Sequence, residues 1–448
     1  MTSLYLPELR EALAEDNADE LREFCTALNP GRTAEFMEGL EDGQLWLVLQ
    51  HAEATRRAEV FSYFDIDRQI AMLTEQPVAQ VAELVAEIPP DDRVDLLQEL
   101  DSEREDQILS RLSLDDRRDI QRLRSYEDDT AGSLMTTDVA KLRQHLSVQQ
   151  ALEELSRQSN ELETIYYLYV VDENELLRGI VSTRQLVSSL SRPKLTLGEI
   201  MESDVITVLE SDDQEAVAKK VERFNLLAIP VVDTGRRLLG IITHDDVIDV
   251  VREELAEDAQ RIAAVAPLDQ EYLRVPLLTL AWKRGLWLTI LFFAALLTAF
   301  ALQHYEEELA MYAWLIAFIP LIISSGGNSG SQSATLVITA MTSGDVNFTD
   351  WPKVVWRELA VSLMLGGFLG TIGMLVALKM APSTIDAWVI PLTLVSIVVA
   401  GCLCGVSLPM VFKRLGLDPA MMSNPFVAGI VDILGIVIYI NIARWILG

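Results

Sequence analysis

Asp432 stands inside the run VAGIVDILGIVIYI, residues 427–440, with apolar neighbours on both sides. A carboxylate at the depth of lipid is expensive and marks an ion path or a proton relay. No Lys, Arg or His lies within a helical turn, so a structural ion pair would need a partner from another segment. One to two turns earlier come Asn424-Pro425 and Ala428-Gly429, small or amide residues that can turn oxygens toward a pore. A ring of Asp432 carboxylates in an oligomer would reject anions and concentrate cations. Oxygen donors without a histidine or thiolate suit a hydrated Mg²⁺. Met410, Met421 and Met422 alone do not make a copper or zinc site. A second stretch points the same way: PLIISSGGNSGSQSATLVITAMT, Pro320–Thr342, is apolar at both ends and polar and glycine-rich between Gly326 and Ser333. Polar, irregular backbone in a membrane is tolerated only in protein or beside water, which predicts a broken helix lining a hydrated path. The plainer reading is that the glycines let two helices approach closely.

Further carboxylates crowd a connecting segment. Asp245, Asp246, Asp249, Glu253, Glu254, Glu257 and Asp258 fall at helical spacing, with only Arg252 and Arg261 among them. A solvated helix would interleave lysines; a divalent cation bridging this face to another acidic surface would relieve its repulsion. Asp91, Asp92 and Asp95 form a second cluster, denser than helix capping requires. The whole charge distribution is lopsided. From Ala281 onward there are nine Asp/Glu and eight Lys/Arg, leaving 58 of the 67 acids and 28 of the 36 bases in the first 280 residues. Such a polyanion is a partner for cations and excludes nucleic acid and anionic headgroups.

The elements that must position these groups can be read from periodicity. Asp42, Asp67, Asp92 and Asp116 each open a unit of about 25 residues with apolar residues at helical spacing, which predicts an α-solenoid over 1–130. Over 131–252 a second repeat appears. Leu134-Met135 returns as Ile200-Met201, Val170-Val171-Asp172 as Val231-Val232-Asp233, and Gly179-Ile180 as Gly240-Ile241. Each copy, 131–195 and 196–252, reads as helix, strand, turn, strand, helix, and the pair resembles tandem CBS domains. Residues 245–270 form a connecting helix, and 275–448 form an all-α membrane domain. Five stretches there, Gly285–Gln303, Met311–Met341, Leu359–Lys379, Trp388–Phe412 and Pro425–Leu447, are long enough to span a bilayer. Lys283/Arg284, Lys353/Arg357 and Lys413/Arg414 collect on one side, which puts the acidic half in the cytoplasm and the C-terminus outside. Gly366, Gly367, Gly370 and Gly373 read as a helix-packing face, open to use between subunits. Cys402-x-Cys404 reads as packing. The acidic opening MTSLYLPELREALAEDN is expected to be no secretory leader.

Across essentially its whole length the chain resembles the MgtE family of magnesium channels, through PLIISSGGNSGSQSATL, RLGLDPAMMSNPFVAGIVDILG, SYEDDTAGSLM and TIYYLYVVD. The resemblance implies a homodimer in a bacterial-type plasma membrane, not an enzyme, with the second and fifth spans lining the pore. Asp432 becomes the pore Mg²⁺ ligand, with Asn328, Asn424, Ala428 and Gly429 along the path. Glu59, Asp91, Asp95, Glu215, Asp246, Asp249, Glu254, Glu257, Asp258 and Asp418 become regulatory Mg²⁺ ligands that close the channel when cytosolic Mg²⁺ is high. Asn225 stands where an acid is expected. The CBS likeness implies an ATP site with Tyr169, Pro230, Thr243 and Asp246; the first copy has Ser182 but Gln185 in place of the acid. Two other readings stay open: a proton-coupled carrier of Mg²⁺, Co²⁺ or Mn²⁺ using Asp432, and a membrane-bound CBS sensor that conducts nothing.

Overall fold

The structure, a computed structural model, describes residues 6–158, 162–268 and 272–448. The first five residues of the expected solenoid and positions 269 and 270 of the expected connector lie outside it. By its internal contacts the chain divides into two units, 1–251 and 252–448.

The first unit opens with short helices from Leu6–Ala14 to Leu114–Leu123. Asp42, Asp67, Asp92 and Asp116 all fall in first turns, where carboxylates favour the positive helix end. The repeat also staples its own units. Arg68 Nε donates to Asp42 Oδ1 at 2.8 Å and Arg93 Nη1 to Asp116 Oδ1 at 2.9 Å. Arg56 donates to the carbonyls of Cys25 and Leu28, and Arg104 to those of Leu73 and Gln76, each reaching back 31 and 28 residues. These guanidinium groups satisfy helix-end carbonyls that would otherwise lack partners.

Two three-stranded sheets follow. In the first, β1 (Lys141–Arg143) runs parallel to β2 (Tyr167–Val171), which pairs antiparallel with β3 (Leu177–Ser182). In the second, β4 (Val208–Leu209), β5 (Ala228–Val232) and β6 (Leu238–Thr243) repeat that order. The copies are interlaced. Thr136, which leads into the first copy, bridges to Ile241 on β6, and Glu202, leading into the second, bridges to Ile180 on β3. Val139, Tyr169, Val171, Ala228, Val232 and Ile241 share one buried apolar cluster.

Among the described residues the second unit has five helices long and apolar enough to cross a membrane: Leu277–His304, Ala313–Thr342, Phe348–Met380, Asp386–Arg414 and Asn424–Leu447. The second does not break at its polar centre. A short 3₁₀ turn, Ala313–Phe318, leads into one continuous α-helix, Ile319–Thr342. The plainer reading of its glycines is the one the structure bears out. A Cβ on Gly401 of the fourth span would stand 2.6 Å from the Gly326 carbonyl, and one on Gly405 would overlap the Gly330 carbonyl. Gly366, Gly370 and Gly373 of the third span likewise face Val395, Pro391 and Leu394 of the fourth within this chain, whereas Gly367 meets nothing. Cys402 is buried and Cys404 half-buried, both as free thiols. Trp282, Trp356, Trp388 and Trp445 are exposed near helix ends, where an amphipathic ring suits the headgroup layer.

Backbone contact between the second and fourth spans makes their glycines irreplaceable. Gly405→Val forces the helices apart and is expected to remove the folded species from size-exclusion profiles, while Gly367→Ala elutes as the wild type does.

Candidate functional site

Within the membrane unit the second and fifth spans meet antiparallel, and small residues let their polar groups touch. A Cβ on Gly327 would lie 3.4 Å from Ala428 Cβ and 3.4 Å from Asp432 Oδ1, ordinary contact distances, so Gly327 places the second span directly beside the carboxylate. Two turns further along, Asn424 Nδ2 donates to Thr335 Oγ1 at 2.9 Å, and Ser331 Oγ to the Asn424 carbonyl at 3.2 Å. Asn424, Ala428 and Asp432 are half-buried and four residues apart, a single stripe on the fifth span. Gly429 faces Ala294 of the first span instead. On the second span Ser324, Asn328 and Gln332 also follow each other at four-residue spacing, and all three are exposed. Asn328 Nδ2 donates to Ser324 Oγ at 3.2 Å. A polar stripe open at membrane depth beside a carboxylate is what a hydrated cation requires and what lipid rejects.

In the first unit the connector helix, His244–Ile262, starts beside the helix Pro90–Gln98. Asp91 sits among Asp92, Asp246 and Glu163, and burial together with those like charges pushes its carboxyl well above the usual range. Partial burial, then Asp246, Asp245 and Asp249, push Asp92 up to about 6, and the same environment pushes Glu163 up to about 7. Asp246 is raised by burial, although it accepts hydrogen bonds from Thr243 Oγ1 at 2.5 Å and Thr243 N at 3.1 Å. Sequence reasoning missed Glu163, which lies in the loop before β2 with no acidic neighbour in sequence except Glu161; only folding carries it to the cluster. Among the described residues no three His, Cys, Asp or Glu side chains converge closely enough to enclose a bare metal ion. The patch is a shared negative field suited to an ion that keeps much of its water.

The remaining expected ligands have other partners. Glu59 pairs with Arg56 at 2.9 Å, and Glu215 with Lys219 at 2.6 Å. In the second unit Arg261 bridges Glu257 and Asp418, so a guanidinium stands between two carboxylates each expected to be a Mg²⁺ ligand. Asp95, Asp249, Glu254 and Asp258 also make polar interactions. Asn225 adopts the left-handed conformation (φ 49°) that ends the helix Gln214–Phe224, a place asparagine tolerates better than most residues. Of the nucleotide candidates, Pro230 is buried on β5, and Tyr169 is wholly enclosed with its hydroxyl unpartnered. Thr243 and Asp246 cap a helix together, just as Ser182 and Gln185 do in the first copy.

Known proteins match this layout in order. Residues 28–129 match the MgtE intracellular N domain, 131–192 and 197–253 the CBS domain, and 319–442 the MgtE divalent cation transporter family. The chain is 34% identical over 447 residues, 98% of each protein, to the magnesium transporter MgtE of Thermus thermophilus. It is 34% identical to that of Enterococcus faecalis over 72% of this chain and 71% of that one. The crystal structure of the soluble part of a magnesium transporter is 33% identical and superposes over 57% of this chain and 100% of that one with a TM-score of 0.54. The cytosolic domain of the Mg²⁺ channel MgtE in complex with ATP is 33% identical and superposes over 55% and 99% with a TM-score of 0.50.

A carboxylate raised on folding favours the folded state while protonated. Its contribution is complete below about pH 4, the ordinary unfolded range, and is lost as pH rises through 6 to 7. With chelator present, the full-length protein is therefore expected to show a higher first thermal transition at pH 5.5 than at pH 8. Millimolar Mg²⁺ raises that transition at pH 8 and little at pH 5.5. The pair Asp92→Asn and Glu163→Gln removes most of the difference.

Proposed function

The chain belongs to the MgtE family of magnesium transporters, and from that premise we propose that it is a Mg²⁺ channel closed by Mg²⁺ on its cytoplasmic side. The observation that carries the pathway is Asp432 against Gly327, next to the exposed stripe Ser324, Asn328, Gln332. Two copies of the chain, stripe to stripe, would enclose those groups in a water-filled path and hide them from lipid. Asp432 from each subunit then holds a hydrated divalent cation, and Asn424 and Asn328 offer amide oxygens along the way. The acidic first unit faces the cytoplasm and the C-terminus lies outside, an orientation that the basic residues at the span ends favour. An inward-negative potential supplies about 2.3 kcal/mol per elementary charge per 100 mV, twice that for Mg²⁺, so no coupling ion is needed.

Closure follows from charge. With Mg²⁺ bound, Asp91, Asp92, Glu163, Asp246 and Asp249 are screened from each other, and the solenoid rests against the start of the connector helix. When the ion leaves, like charges push the two apart and the connector is free to move. Bistability of this kind is what a charge switch needs. ATP would bind at the second CBS copy through Thr243 and Asp246. Because Asp246 also belongs to the acidic cluster, nucleotide and cation would be coupled there.

In proteoliposomes, Asp432→Ala is expected to lower Mg²⁺ uptake at least a hundredfold, and wild-type uptake to proceed unchanged with or without a pH gradient. Uptake that needs the gradient would mean a proton-coupled carrier, and absence of uptake a sensor. Asp91→Asn, which removes the most buried charge of the cluster, shifts the Mg²⁺ concentration that halves uptake severalfold without changing the maximal rate.

A further inference from the structure

Which side chains of the second span meet the pathway depends on the rotation of that helix about its own axis. Apolar packing fixes part of it: Ile397 of the fourth span seats on Gly326, and Val337 and Met341 share a buried cluster with Val406 and Met410. Gly330, Gly401 and Gly405 add backbone contact between the same two helices. Polar ties hold the flanks. On one side these are the bonds from Asn424 to Thr335 and from Ser331 to the Asn424 carbonyl. On the opposite side Ser333, only 3% exposed, donates its hydroxyl proton to Glu358 Oε1 of the third span. The Cys402 thiol, directed at the Ser329 carbonyl at 3.8 Å, adjoins the same pair.

Glu358 is the less expected member. It sits two turns into the helix Trp351–Met380, about 10 Å along its axis, and begins an otherwise apolar run. In sequence it reads as an interface residue. Its half-buried carboxylate instead reaches inward to the back of the second span. A carboxylate at that depth is costly to keep without purpose. We propose that Glu358 is a positioning residue for permeation: by holding Ser333 it sets the rotation of the second span, so that Ser324, Asn328 and Gln332 face the path. A turn of about 50°, half the step between adjacent residues, would swing Asn328 off the centre of that face and put Ser325 and Gln332, or Ser324 and Ser331, in its place.

This inference rests on the pathway assigned above, and the test separates the two. Full-length wild type, Ser333→Ala, Glu358→Leu, Glu358→Gln and the double variant Ser333→Ala/Glu358→Leu are reconstituted in proteoliposomes, with Asp432→Ala alongside. Mg²⁺ and Ca²⁺ uptake are both measured, and thermal transitions report folding. Ser333→Ala and Glu358→Leu should each lower maximal Mg²⁺ uptake about tenfold and lower the Mg²⁺/Ca²⁺ ratio severalfold, because the path is lined by the wrong face. The double variant should be no worse than Glu358→Leu, since both remove one bond. Glu358→Gln keeps an acceptor oxygen and should retain more than half of the uptake and the full ratio. Four results would overturn the proposal: additive losses in the double variant, Glu358→Gln as impaired as Glu358→Leu, an unaffected Ser333→Ala, or a fall in uptake that tracks lost folded protein with the ion ratio unchanged. If Asp432→Ala also transports normally, the pathway itself is at fault. If only Asp432→Ala fails, the pathway stands and the role of Glu358 falls.

Discussion

Lipid offers no hydrogen bonds, so each polar atom in the five spans must find a partner in protein or water. That cost organises the membrane unit. Serine and threonine hydroxyls are returned to carbonyls one turn back, as in Ser325 to Leu321 and Ser329 to Ser325. Tyr439, fully buried, donates to the Leu315 carbonyl at 2.9 Å, which satisfies the 3₁₀ turn before the second span. Asn328 and Gln332 of the second span stay exposed instead, beside the half-buried Asp432 of the fifth. In the channel proposed above, water and a cation would cover them.

The small residues follow from the same constraint. Direct backbone approach at Gly326, Gly330, Gly401 and Gly405 maximises dispersion contact where no hydrophobic effect drives helices together. Apolar contacts such as Ile397 on Gly326 and hydrogen bonds such as Ser333 to Glu358 together set the orientation of the second span. Site and helix packing are therefore coupled: the glycine beside Asp432 and the glycines that admit the fourth span lie on one helix, within a few residues of each other.

The first unit faces the opposite problem. There the difficulty is charge repulsion. Several of its arginines, such as Arg56, Arg93 and Arg104, are spent on staples between solenoid units, whereas the groups that raise Asp91 besides burial are other carboxylates, Asp92, Asp246 and Glu163. Two like charges about 5 Å apart at an effective dielectric near 20 repel by roughly 3 kcal/mol. A cluster of five is a standing load that either protons or a divalent cation can lift, and at neutral pH the cation is the available one.

From the sequence alone the architecture was legible: a 25-residue period, a duplicated strand pattern and five apolar runs each impose local structure whatever their surroundings. Asp432 stood out as a candidate too, because a lone carboxylate in an apolar run is costly in lipid. The polar centre of the second span was not, since glycine and serine permit either a break or a close-packed helix, and only the facing glycines of the fourth span decide for the helix. Glu163 and Glu358 were hidden for the same reason. Each is an ordinary glutamate among its sequence neighbours, and acquires its meaning from groups far along the chain: Asp91 and Asp246 for one, Ser333 for the other. The partners of Glu257 and Asp418 were equally a tertiary matter, because one arginine can reach either a helical neighbour or a distant loop and Arg261 reaches both. Periodicity is a property of neighbours and survives in a string of letters; a shared site is a property of distance in space, and folding alone supplies it.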